Sequence, residues 1–474
     1  LAIQAYYSKE GYFLTRAYLP AQEIKGNSLN IAIIEGKLGE VSVVGNKYYS
    51  EDFVRSYLKK YQGEPINYDQ ILKALLLLNE NMNLSVGVVF KKGQKFGTAD
   101  VIVRVKDKRP ISLTLDNNNY GGDHTSKLRT GARFDWGNVI TYGDVLTVIE
   151  VVGCPISGLN FTDAIYHIPI NTYGSSIDIS YLTANFKTSS VGEDKIKFVG
   201  RSHIATAKFM QALNRTRRLN TDVFTYFDYK QIQNFSKGTR SSYDKLRVLS
   251  GGMDLDYIDG WDGRNLFTAY FGWGIPEILG GLDASDPEGS RKDGGGRFVR
   301  LNGSAKRLQR LPWDCFLLLN GVGQYSFDKL PLPEQIFIGG VDTVRGYKLA
   351  EALGDSGFYA NVELRVPPPF LRGYKVPWSK KRWGEIVQFV GFVDHGQTFT
   401  KGADKIFENV EVDDHKKRTP IPVVGRAILT SAGAGIRIYG PWKLEFSFDA
   451  GYPLTERLRS STTITYYRVA WKVL

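Results

Sequence analysis

The strongest constraint on this chain is a two-residue alternation that recurs from position 110 to the C-terminus in runs of about 10–14 residues. In "WKLEFSFDAGY" (442–452), Trp442, Leu444, Phe446, Phe448, Ala450 and Tyr452 share one face, and Lys443, Glu445, Ser447 and Asp449 share the other. "GFYANVELRV" (357–366) sets Phe358, Ala360, Val362, Leu364 and Val366 against Tyr359, Asn361, Glu363 and Arg365. A soluble sandwich also alternates, but its strands run to about 5–6 residues. Longer strands with an apolar face ending in aromatics suit a transmembrane barrel, whose outside meets lipid and whose lumen is polar. The runs are 111–118, 128–138, 142–152, 159–169, 174–186, 199–213, 220–232 and 244–257, then 263–275, 296–309, 313–326, 356–366, 384–395, 427–438, 441–451 and 462–473. They number sixteen, and an even count returns both ends of a barrel to one side of the membrane. The expected fold is mainly β, a sixteen-stranded transmembrane antiparallel β-barrel over 110–474, with no helix in that region.

Composition agrees with a large sheet. The 474 residues include 27 Tyr, 26 Phe and 50 Gly but only three Met, and aromatics favour strands while glycine serves turns. Connections after even-numbered runs are mostly brief, as in "INTYG", "NRTRRLN", "DGWDGRN", "QRLPWD" and "IYGPW". Several after odd-numbered runs are long: 276–295, 327–355 and 396–426. Short periplasmic turns and longer outer loops are the asymmetry of transmembrane barrels, with 367–383 as the exception here. That parity puts residues 1–109 in the periplasm and starts loop 327–355 from the extracellular end.

Residues 1–109 read differently. Strand 37–46, a helix in 50–63 capped by Ser50, a helix in 67–81 capped by Asn67, and strands 84–90 and 98–107 give the order β-α-α-β-β. Two strand-like runs before them, within 13–24 and 28–36, match the last two strands of a similar unit whose beginning lies outside the sequence. No run approaches the roughly 18–20 apolar residues of a membrane-spanning helix, "ALLLL" at 74–78 being the longest candidate. No leader precedes Leu1, so export would require one removed from this sequence.

The net charge of +12 is scattered, with short clusters at 379–383 and 414–418, and no basic stripe interleaves with aromatics, so no nucleic-acid partner is expected. Cys154 and Cys315 form neither CxxC nor zinc spacing and read as packed or lipid-facing. His124, His167, His203, His395 and His415 form no metal or nucleophile motif, and "GGG" at 294–296 precedes no helix. No catalytic residue, cofactor or metal is expected. Glu445 and Asp449 read as solvated charges of a polar lumen.

One pairing stands apart. In "EIVQFVGFVDHGQTF" (385–399), Val387, Phe389, Gly391 and Val393 alternate with Gln388, Val390, Phe392 and Asp394. If the first set faces lipid, Asp394 faces the lumen. The 29-residue loop 327–355, containing "IGGVDTVRGYKLAEALGDSG", is long enough to fold inward and bring Arg345 to it. Alternation alone leaves open that the two charges are unrelated.

"VRGY" at 344–347, "FVDHG" at 392–396, "GIRIYGPWKLEFSFDAGYPL" at 435–454 and "RAYLPAQEIKGNSLNIAIIEGKLGEV" at 16–41 carry a family resemblance over essentially the whole chain. It resembles the two-partner secretion transporters of the haemolysin secretion/activation type, outer-membrane barrels preceded by periplasmic β-α-α-β-β POTRA domains. The resemblance implies that Arg345 at an inward-folded loop tip pairs with Asp394, that Val344, Gly346 and Tyr347 form the tip motif, and that Phe392 and Gly396 support it on the wall. It divides the chain into the C-terminal part of a first POTRA domain (1–36), a second POTRA domain (37–109) and the barrel (110–474). The implied activity is passage of a large unfolded, β-rich secreted partner, an adhesin, haemolysin or toxin, through the pore without ATP. A monomer in outer-membrane lipid is expected. The alternative is an assembly insertase of the same superfamily. Two departures stand out: no N-terminal plug helix of the family type, and no terminal aromatic after "YYRVAWKVL".

Overall fold

The computed structural model describes residues 2–23, 28–123, 125–188, 197–377, 380–402, 425–455 and 462–474. His124, His415, the cluster 414–418, residue 379 of the cluster 379–383, and most of loop 396–426 lie outside the described residues.

The chain begins with helix α1 (Ala2–Lys9) and the antiparallel pair β1 (Arg16–Tyr18) and β2 (Ala32–Ile34). Sequence reading missed α1, which is short and buries none of its residues. Then follow β3 (Lys37–Val44), α2 (Glu51–Lys59), α3 (Tyr68–Asn79), β4 (Leu84–Lys92) and β5 (Thr98–Asp107). Ser50 caps α2 by accepting from the Phe53 N–H, and Asn67 caps α3 by accepting from the Asp69 and Gln70 N–H groups. The sheet order is β3-β5-β4, parallel then antiparallel, so β4 is an edge strand. Leu38, Val54, Leu58, Leu78, Val101 and Val103 form its dry core against the two helices.

This unit seats on the short-turn end of the barrel. Lys60 Nζ donates to the Thr172 carbonyl at 2.9 Å and lies 3.8 Å from the Tyr173 ring centre. Arg215 bridges Glu80 (2.5 Å) and Asp222 (2.7 Å), and Ala212 packs into the core of the unit.

The barrel wall runs β6 (Ile111–Asn118), β7 (Leu128–Gly137), β8 (Val145–Cys154), β9 (Leu159–Pro169), β10 (Ser175–Lys187), β11 (Phe198–Arg215), β12 (Leu219–Ser236), β13 (Thr239–Ile258), β14 (Arg264–Gly274), β15 (Phe298–Arg310) and β16 (Phe316–Ser326). A small hairpin, β17 (Ile336–Ile338) and β18 (Ala352–Gly354), interrupts the wall. The wall resumes with β19 (Ser356–Val366), β20 (Val387–Phe399), β21 (Arg426–Tyr439), β22 (Leu444–Pro453) and β23 (Ile464–Lys472). All sixteen wall strands pair antiparallel, and β23 closes on β6 through Arg468↔Asn118 to Lys472↔Thr114. The sixteen-stranded barrel expected from alternation is therefore the fold observed.

Phe271, Trp273, Val362, Phe389, Val393 and Tyr452 are exposed on the outward face. Trp261, Trp313 and Trp442 stand out from turns at the end where the N-terminal unit docks, an interfacial aromatic belt.

Two local expectations need correction. Trp442 belongs to a tight Pro441–Lys443 turn with φ +55°, so β22 starts at Leu444. Residues 384–386 are not strand: Trp383–Ile386 form a single helical turn, α4, in which Glu385 accepts from the Arg382 N–H. Both cysteines are free thiols; Cys154 is exposed at the end of β8 and Cys315 is half-buried, which leaves the lipid-facing one of their two expected settings open and not the packed one.

Candidate functional site: a loop pinned across the lumen

Between β16 and β19 the chain turns back inside the barrel. Gly339 (φ +104°) and Gly340 (φ +102°) permit a turn that most side chains resist, and the β17–β18 pairing holds the two limbs together. Ile338, Val344 and Tyr347 are fully buried against Leu429 of β21.

The structure brings Arg345 and Asp394 together. Arg345 Nε donates to Asp394 Oδ2 at 2.8 Å, and Nη2 donates to Oδ1 at 2.9 Å, a two-point fork. The Arg345 backbone N–H adds a third bond to Oδ2 at 3.0 Å. Asp394 is 0% exposed and Arg345 5%. The guanidinium also lies 3.4 Å from the centre of the Phe392 ring.

The remaining motif residues converge on the same tip. Gly346 has φ +85°, and a Cβ there would sit 2.9 Å from the backbone carbon of Gly451. Both conformation and space therefore call for glycine. The Tyr347 hydroxyl donates to the Thr430 carbonyl at 2.7 Å, and Tyr466 Oη donates to the Tyr347 carbonyl at 2.8 Å while accepting from the Gly346 N–H. Gly396 makes room for the loop, since a Cβ there would lie 2.9 Å from Val344 Cγ2.

Sequence reasoning missed part of this site. Arg345 Nη1 donates to Glu363 Oε2 at 2.8 Å and stands 3.7 Å from Asp449 Oδ2. Asp449 was expected to be a solvated charge; it is buried and held by Arg437 at 2.8 Å. Glu445, by contrast, is exposed. Glu363 is further bound by Arg365 at 2.7 Å and approached by Arg437 at 3.5 Å. Alternation had put Glu363 and Asp449 on the lumen side. What it lacked was their height relative to Asp394, which depends on the register of strands β19 to β22. A buried cluster of this kind stabilises the docked loop only while every charge has a partner.

The histidines are engaged singly: His167 Nδ1 with Asp178 at 2.6 Å, His203 with the Tyr181 hydroxyl, and His395 with the Thr430 hydroxyl.

Comparison with known proteins supplies context. The family profile described as "Haemolysin secretion/activation protein ShlB/FhaC/HecB" matches residues 97–405, and one described as "POTRA domain, ShlB-type" matches residues 1–36. Among curated proteins, the heme/hemopexin transporter protein HuxB of Haemophilus influenzae is 23% identical over 372 residues, 77% of this chain and 64% of HuxB. The chain thus spans less than two thirds of that relative's length. The outer membrane transporter CdiB of Dickeya dadantii is 21% identical over 98% of this chain and 78% of its own. Among solved structures, CdiB from Escherichia coli superposes with a TM-score of 0.80 at 19% identity, covering 99% of this chain and 83% of that one. BamA from Haemophilus ducreyi shares the fold with a TM-score of 0.60 at 12% identity, covering 98% of this chain and 90% of that one.

Proposed function

The chain belongs to the haemolysin secretion/activation protein family, and on that premise we propose that it carries an unfolded secreted partner across the bacterial outer membrane. In this reading residues 110–474 are the pore, residues 37–109 are a POTRA domain facing the periplasm, and residues 1–36 belong to another. The protein works as a monomer in outer-membrane lipid.

The observation that carries the proposal is the chemistry of the loop inside the barrel. Its tip is held by an ion-pair cluster rather than by a large apolar interface. If the loop leaves, Glu363 keeps Arg365 and Arg437, and Asp449 keeps Arg437. Asp394 loses its cation while Glu363 and Asp449 keep theirs, so release of the tip strands one carboxylate and not three. The loop is a removable occupant of the transport path.

Entry starts at the periplasmic sheet. β4 is an edge strand whose Val86 backbone is held by the Asn79 side chain, and an apolar groove beside it is lined by Leu72, Leu75, Leu76, Val86, Val88 and Phe90. An extended, β-prone segment adds to that edge with alternate side chains in the groove. The passenger's own folding outside then draws the chain outward without ATP. Crosslinking from residues 37–107 to the exported partner in cells tests this. The proposal fails if no secreted protein is captured while unrelated barrels depend on this chain for assembly, the outcome an insertase would give.

A further inference from the structure

The same loop has a second buried charge cluster, at its foot, that the tip latch does not use. Glu334, in the turn between β16 and β17, is 3% exposed. Its Oε1 accepts from Lys230 Nζ at 2.7 Å and its Oε2 stands 2.8 Å from Arg300 Nη2. Lys230 is balanced in turn by Asp228 at 3.1 Å. Gln324 clamps the backbone there, donating to the carbonyls of Glu334 (2.9 Å) and Asp355 (3.1 Å).

The placement of these partners is informative. Lys230 lies on β12, and Asp449, at the tip cluster, lies on β22. In the closed order, β12 and β22 are separated by eight steps in either direction around sixteen strands, so they are opposite walls. Asp394 and Tyr466, on β20 and β23, flank that far side. The loop is therefore fastened at both ends, across the width of the pore.

We propose that Glu334, with Lys230 and Arg300, is a second positioning element that makes the loop a strut across the lumen. Clearing the pore then requires releasing the foot as well as Arg345. The inference rests on the reading of this loop as the occupant of the transport path. The foot attaches to β12 and β15 and the tip to β19 through β23, so the two ends respond separately to mutation.

The test uses the purified full chain in lipid nanodiscs and needs no passenger. Glu334→Gln keeps side-chain size and removes the charge that balances Lys230 and Arg300. Hydrogen exchange of amides 329–338 is expected to accelerate about tenfold or more, while amides 343–347 keep their protection. Adding Arg300→Met removes the cation whose ion pair is with Glu334, while Lys230 keeps Asp228, and is expected to restore at least half of the lost protection. In planar bilayers the open probability of Glu334→Gln rises about tenfold, the same factor read as conductance. Unchanged exchange at the foot in a barrel that still shows heat-modifiable migration would overturn the proposal, as would a foot that opens only together with the tip. Should Glu334→Gln fail to assemble, Lys230→Gln, which leaves Arg300 on Glu334, gives the graded version of the same measurement. Failure of passenger export by a wild type whose foot and tip exchange as expected would sink the transport reading, an outcome distinct from unchanged exchange at the foot.

Discussion

Replacing Arg345 by alanine probes the loop tip most directly. The change removes a two-point fork to Asp394, a bond to Glu363 and the stack on Phe392. It leaves Asp394 fully buried without a cation among the described residues, because the ion pair of that carboxylate there is with Arg345. Stranding one member of a buried pair costs about 3–5 kcal/mol. That corresponds to about two to three and a half orders of magnitude in the docked-to-undocked ratio of the tip. Glu363 and Asp449 add little to the cost, since Arg365 and Arg437 still hold them. Arg345→Ala should therefore speed amide exchange at 343–347 by about a hundredfold or more. Asp394→Asn added to it should recover most of the loss, leaving about 1–2 kcal/mol for the missing hydrogen bonds. Exchanging the charges, Arg345→Asp with Asp394→Arg, should not rescue, because an aspartate at 345 would face Glu363 and Asp449. Exchange mass spectrometry on the three variants and the wild type, beside planar-bilayer conductance, measures all of this. If the double neutral variant opens as readily as Arg345→Ala, the stranded carboxylate is not the source of the cost and the account is wrong.

Gly346→Ala should undock the tip by about 1–3 kcal/mol, from the left-handed φ and the contact with Gly451, read as faster exchange at 343–347; wild-type protection would refute the packing argument. Tyr347→Phe removes one of two donors to the Thr430 carbonyl, which keeps the Leu454 N–H, and should cost about 1 kcal/mol, visible as a lower urea midpoint for loop release. At the periplasmic junction, burial and then the charge of Lys73 lower the Lys60 pKa from 10.5 to about 8. The docked form thus binds fewer protons than the undocked form between those values, and docking onto Thr172 and Tyr173 should tighten as pH rises from about 8 to 10.5. Titrating ¹³C-methylated Lys60 by NMR checks it, and a midpoint near 10.5 would show an ammonium that is still hydrated.

Much of this molecule is written locally along the chain. A strand's two faces follow from alternation, so β6, β9 and β19 could be bounded in advance, and Asp394 could be aimed inward before any contact was known. Caps at Ser50 and Asn67 likewise announce α2 and α3, because a side-chain oxygen two or three residues before an orphan N–H is a local event. Where local signals were weak the reading failed: α1 buries nothing, and the Pro441–Lys443 turn shortens a run that alternation alone would extend.

The site itself divides along the same line. "VRGY" and the inward aspartate were visible as residues, and family resemblance joined them. Alternation has a period of two and states only which face a side chain takes. The height at which Glu363, Asp394 and Asp449 meet is set by strand registers accumulated around a closed ring. Glu334 and Lys230, 104 positions apart, carry no shared local pattern. Only barrel closure places β12 opposite β22, and so only the tertiary structure could turn an arginine-bearing loop into a strut fastened to both walls.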